Sequence, residues 1–154
     1  EILFSKETIL LERGGGIFYS LPKLRDESFI VVIADGWTDF YFECLESINA
    51  DKRLAHLVLV RNREHNPGGD FHINQAGLVH AIGNDSSKFL TFSGISVLHK
   101  KLFEGYQVKP LSLIPLLKMA MAKDLVSGEV HDGVWIDVGT PERLDEVATL
   151  ISSD

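Results

Sequence analysis

Phe29-Ile30-Val31-Val32-Ile33-Ala34-Asp35-Gly36 is an apolar, β-branched run that ends on a carboxylate and a glycine. A short run without polar alternation suits a strand buried on both faces, the habit of strands in parallel sheets. Gly36 lets the chain turn where the strand stops. That leaves Asp35 at the strand's carboxyl end, where open α/β sheets gather ligands. The same design returns in Val134-Trp135-Ile136-Asp137-Val138-Gly139-Thr140-Pro141. A short apolar strand again delivers an aspartate, and a glycine then turns the chain into a helix. Thr140 is its N-cap, Pro141 its first residue, and Glu142 complements its dipole.

Working outward, His56–Val60 is a second buried strand. Phe71–Asn74 and Leu78–Ile82 form a hairpin around Gly77, and Phe89–Leu98 is a longer strand bent at Gly94. Between them, Ile17–Leu21, Phe40–Ile48 and Ser112–Lys123 carry apolar residues at helical spacing. Strands alternating with helices predict a layered α/β fold with a mostly parallel mixed sheet. No repeat or linker interrupts the chain, so residues 1–154 are expected to form one domain.

Composition narrows the function classes. The chain has 154 residues, is 45% hydrophobic and carries a net charge of −7. That charge gives no electrostatic footprint for nucleic acid. No apolar stretch reaches the roughly 18 residues of a membrane span. Cys44 is the single cysteine, which excludes an internal disulfide, fits a reducing, cytoplasmic setting, and reads as a buried structural thiol between Phe42 and Leu45.

Several residues are candidates for chemistry, each with a plain structural alternative. Asp35 either serves a ligand or caps the turn before Phe40. Asp35 and Asp137 together suit a hard cation such as Mg²⁺, which takes one or two protein carboxylates plus phosphate oxygens; if their strands are not neighbours, each is a solvated turn residue. Gly14-Gly15-Gly16 either brings backbone amides to a ligand or forms a surface turn. It lacks the P-loop lysine and the dinucleotide spacing. Gly69 and Asp70, in Asn66-Pro67-Gly68-Gly69-Asp70-Phe71, either meet a sugar or reverse the chain. Trp37 is either a site wall or a core indole. The six histidines lack zinc spacing, and no Ser/His or Cys/His pairing suggests a nucleophile.

Four segments in order carry a resemblance: Leu11-Glu12-Arg13-Gly14-Gly15-Gly16-Ile17, Val32–Phe40, Gly69-Asp70-Phe71, and Trp135-Ile136-Asp137-Val138-Gly139-Thr140-Pro141-Glu142-Arg143-Leu144. Together they resemble the bacterial sugar-1-phosphate nucleotidyltransferases. The nearest branch is that of N-acetylmuramate α-1-phosphate uridylyltransferases and mannose-1-phosphate guanylyltransferase-like proteins, for which Leu90-Thr91-Phe92-Ser93-Gly94-Ile95 is also typical. The last of the four segments is the most specific, the glycine triplet the least.

The resemblance implies a Rossmann-like, GT-A-like nucleotidyltransferase fold and transfer of a nucleoside monophosphate from a nucleoside triphosphate to a sugar 1-phosphate, releasing pyrophosphate. UTP is the expected nucleotide, with N-acetylmuramate or a hexose as the sugar; GTP with mannose, as in a mannose-1-phosphate guanylyltransferase, is the runner-up. Asp35 and Asp137 would hold Mg²⁺, Glu12 and the Gly14, Gly15 and Gly16 backbone would line the base pocket, and Gly69 and Asp70 would contact the sugar. Two departures bear on the acceptor: Arg13 replaces a usual Thr, and Ile33-Ala34 replace the Asn-Gly that precedes the metal aspartate. The resemblance also implies an N-terminal phosphate loop that this chain lacks, hence poor turnover by the chain alone and an uncovered sheet edge that favours homo-oligomers. The alternatives are a catalytically silent nucleotide-sugar-binding or regulatory domain of the same fold, and a metal-dependent glycosyltransferase, for which Asp35 and Asp39 are spaced too widely.

Overall fold

The computed structural model describes residues 2–48, 52–64, 66–81 and 89–152. Its elements run α1 (Glu12–Ser20), β1 (Ser28–Val32), β2 (Gly36–Thr38), β3 (Ala55–Val60), β4 (His72–Ile73), β5 (Val79–His80), β6 (Thr91–His99), α2 (Leu113–Met121), β7 (Val126–His131), β8 (Trp135–Asp137) and α3 (Pro141–Ile151). Short 3₁₀ turns at Leu21–Lys23, Phe42–Ser47 and Lys100–Phe103 join them.

The central sheet has four strands in the order β1-β6-β3-β7. Its layered α/β character agrees with the sequence, but the parallel majority does not. β1–β6 and β6–β3 are antiparallel, and only β3–β7 is parallel. An apolar run does not fix strand direction, because burial on both faces requires only layers above and below. β3 and β6 are buried at every position. On one face Leu57, Leu59, Leu98 and Phe92 pack against Leu113, Leu116 and Leu117 of α2 and against Phe103. On the other, Val58, Ile95 and Val97 meet Phe40 and Leu45 of the 3₁₀ turn. Each such aliphatic side chain contributes about 1.5–3 kcal/mol by leaving water.

β1 is different. It forms the sheet's edge among the described strands, and Ile30 and Val32 are 42% and 50% exposed rather than covered on both faces. β2 and β7 were not legible: β2 is three residues long, and Val126-Ser127-Gly128-Glu129 breaks the apolar pattern of an interior strand. Both exist because a partner strand supplies their hydrogen bonds.

The hairpin forms as β4 and β5, with Gly77 at φ +74°; Ile82 lies outside the described residues. Gly94 bends β6 at φ +82°, near a slip in the β3–β6 register between Leu57 and Leu59. A Cβ at Gly94 would stand 2.2 Å from Cδ1 of Ile33. Ile33 therefore lies on Gly94, a packing role for the residue that replaces the usual Asn.

Buried polar groups are tied into the sheet. His56, only 7% exposed, joins Ser127 Oγ through Nδ1 at 3.0 Å and Glu129 Oε1 through Nε2 at 3.3 Å. Burial pushes its pKa down, with Glu129 opposing. Sequence spacing gave no sign of this Ser–His–Glu chain, because parallel pairing of β3 with β7 creates it. Cys44 is half-buried rather than buried and donates to the Tyr41 carbonyl. Desolvation, then the Glu129 charge, raises its pKa. No helix among the described residues is long and apolar enough to cross a membrane.

Candidate active site

β2 and β8 pair antiparallel, with Gly36 opposite Asp137, Trp37 opposite Ile136 and Thr38 opposite Trp135. The Val138 N–H donates to the Asp35 carbonyl at 2.7 Å. The ribbon thus brings two aspartates distant in sequence to neighbouring strand ends. Asp35 is exposed, whereas the Asp137 side chain is 30% exposed. Trp37 is half-buried within the ribbon.

The ribbon is anchored at its other end. Asp39 Oδ1 accepts from His131 Nε2 and from the Val134 N–H, both at 2.8 Å. Thr38 Oγ1 donates to the Val134 carbonyl, and the buried Trp135 indole N–H donates to the Ser93 carbonyl at 3.1 Å. Asp39 Oδ1 thereby holds the turn between β7 and β8.

α3 begins as its sequence dictates, with Thr140 Oγ1 accepting from the Arg143 N–H at 3.4 Å and Pro141 in the first turn. Hydrogen bonds from its own backbone N–H and from Thr140 lower the Glu142 pKa. From this first turn the Arg143 guanidinium reaches back to Asp137, meeting Oδ2 at 2.8 Å and the carbonyl at 3.2 Å. The pair opens on a cleft of about 680 Å³ lined by Asn62, Arg63, Glu64, Asp137, Arg143 and Glu146. Arg63 pairs with Glu146 at 3.3 Å across it.

Gly69 borders this cleft indirectly. Its φ is +63°, and a Cβ there would lie 2.9 Å from Asn62 Oδ1 and 2.8 Å from the Phe89 carbonyl carbon. Only glycine lets the loop close on that wall. Asp70 is exposed, yet its Oδ2 accepts from the Phe92 N–H at 2.8 Å, so one oxygen already holds the loop to β6.

The glycine triplet differs from both sequence readings. Glu12 opens α1 at φ +59°, so the glycines lie inside the helix instead of before it. Gly14 and Gly15 are buried against the backbone of residues 109–113; a Cβ would stand 2.7 Å from the Leu111 carbonyl oxygen and 2.5 Å from that of Lys109. The Gly15 N–H donates to Leu111 at 3.0 Å. The Gly15 amide therefore faces chain, not an open pocket. Glu12, Arg13 and Gly16 do border a second cleft of about 670 Å³, against the exposed side of β1. None of its lining residues is shared with the cleft at Asp137.

No protein-family model matches the chain. The N-acetylmuramate alpha-1-phosphate uridylyltransferase of Neisseria meningitidis serogroup B is 38% identical over 144 residues, 91% of this chain and 62% of the relative. This chain is a homologue of that uridylyltransferase. A second protein of that name, from Caulobacter vibrioides, is 25% identical over 150 residues, 92% of this chain and again 62% of the relative. The chain therefore spans less than two thirds of the length of the curated relatives it matches. Among solved structures, the inositol-1-phosphate CTP transferase from T. maritima superposes with a TM-score of 0.72 at 19% identity, covering 96% of this chain and 64% of that one. At that identity the likeness speaks for the fold alone, the layered α/β nucleotidyltransferase fold.

Sequence reasoning passed over Asn62, Arg63, Glu64, Arg143 and Glu146. A signal was present: Arg61-Asn62-Arg63-Glu64 follows a buried strand directly, the same strand-end logic that singled out Asp35. Arg143 and Glu146 stand three apart on α3, hence on one face.

Proposed function

We propose that the protein transfers a uridylyl group from UTP to a sugar 1-phosphate, N-acetylmuramate 1-phosphate being the acceptor named by its curated relatives. An acceptor phosphate oxygen attacks the nucleotide α-phosphate, and pyrophosphate leaves. The single observation that carries the reading is the β2–β8 pairing, in which Gly36 faces Asp137 and Val138 bonds the Asp35 carbonyl. Carboxylates are the hard donors that Mg²⁺ takes, and two suffice beside phosphate oxygens. No group of three or more His, Cys, Asp or Glu side chains gathers among the described residues, so two acids aided by substrate suit the site better than an all-protein cage. Asp35 and Asp137 would hold the ion, which when bound neutralises charge developing on the phosphates.

The remaining work falls to positioning, as expected where the protein supplies little covalent chemistry. The anchored Asp39–His131–Val134 turn fixes the ribbon, and the Asn62–Gly69 wall shapes the acceptor side. The test is pyrophosphate release by the full-length protein with UTP, N-acetylmuramate 1-phosphate and Mg²⁺, with GTP and mannose 1-phosphate as the competing pair. Asp137→Asn should lower the rate by about 100-fold or more at an unchanged melting temperature. A variant as fast as the wild type would remove Asp137 from the reaction.

A further inference from the structure

We propose that Arg143 is an exchangeable counter-ion: it pairs with Asp137 when no metal is bound there and moves to the nucleotide phosphates when a divalent cation takes its place. The inference rests on the proposed role of Asp137 as a metal ligand. Arg143 Nη1 lies 2.8 Å from Asp137 Oδ2, with the two side chains 26% and 30% exposed. A guanidinium and a divalent cation repel each other at such range, so loading the carboxylate with metal weakens the reason for Arg143 to stay. The neighbouring acid, Glu146, is already paired with Arg63 at 3.3 Å. A phosphate oxygen is then the natural acceptor for the released fork, which suits phosphate as well as carboxylate.

The surroundings leave room for the move. Gly139 backs onto the pair, its missing Cβ lying 3.5 Å from Asp137 Oδ1 and 3.7 Å from Arg143 Nη1. The 680 Å³ cleft lies in front. Its lining carries three carboxylates, Glu64, Asp137 and Glu146, against two guanidiniums, Arg63 and Arg143. A triphosphate entering this acidic cleft, on a chain of net charge −7, needs a cation freed to meet it. The helix start is not at stake, because the Thr140 cap uses the Arg143 backbone N–H.

The experiment is Mn²⁺ titration of the full-length protein, followed by electron paramagnetic resonance, alone and with UTP or GTP. Without nucleotide, Arg143→Ala should bind Mn²⁺ about tenfold tighter, because a competing cation is gone. With either nucleotide it should bind the Mn²⁺–nucleotide complex about tenfold more weakly, because a phosphate ligand is gone. Arg143→Lys, which keeps the charge and loses the fork, should fall between. Weaker Mn²⁺ binding by Arg143→Ala in both conditions would make Arg143 a fixed strut for Asp137 and overturn the exchange. Asp137→Asn in the same titration tests the underlying reading: Mn²⁺ binding that ignores this change removes the metal site itself, whatever Arg143 does.

Discussion

Gly14-Gly15 in α1 and Gly139 after β8 look alike in sequence, as glycines beside a helix start, yet one region is packed and the other open. In α1 the missing side chains let a helix lie on the backbone of residues 109–113. At Gly139 they leave space around an ion pair that faces a cleft. Glycine signals only that something comes close. Whether that is a ligand or another stretch of chain depends on residues far away.

The comparison breaks first on stability. Gly15→Ala should cost about 3 kcal/mol in chemical denaturation, since its Cβ would meet rigid backbone at 2.5 Å. Gly139→Ala should change stability by less than about 1 kcal/mol, because its neighbours stand at ordinary contact distance. Equal losses would mean that the two regions are equally packed.

Gly94 sharpens the point, since its close neighbour is a side chain. Gly94→Ala should cost about 2 kcal/mol, from its positive φ and the clash with Ile33. With Ile33→Ala added, the double variant should lose about 1 kcal/mol less than the two singles summed. Strict additivity would show that Ile33 does not rest on Gly94.

The smallest effect concerns the cap of α3. The Glu142 pKa is lowered below its ordinary 4.5 in the folded chain. Folding therefore favours the ionised form; the contribution is complete above the unfolded value near 4.5 and is lost as pH falls through the lower folded value. Glu142→Gln should slightly lower stability near neutrality and leave it unchanged at the acid end, where the contribution is already lost, so the stability–pH curve flattens below about pH 5. An unaltered acid limb would remove Glu142 from the cap.

Much of the fold was legible because its signals are local. The β3 and β6 runs, the Gly94 bend, the Gly77 hairpin and the Thr140-Pro141 helix start each depend on a few consecutive residues. The α/β layering and the resemblance to sugar-1-phosphate nucleotidyltransferases followed from those pieces and their order. Strand direction was not legible, since an apolar run is equally buried in either sense, and β2 and β7 escaped because their bonds come from partners distant in the chain.

For the site, the sequence determined that Asp137 would end a strand leading into a capped helix; Asp35, expected at a strand end too, lies instead in the turn between β1, which stops at Val32, and β2, which starts at Gly36. Tertiary structure alone decided that Asp35 and Asp137 come to neighbouring strands, that Arg143 closes on Asp137, and that Gly14 and Gly15 lie against backbone. The physical reason is the same throughout. Turn, cap and burial preferences are properties of short segments, whereas pairing register and side-chain contact are set only when the whole sheet chooses its neighbours.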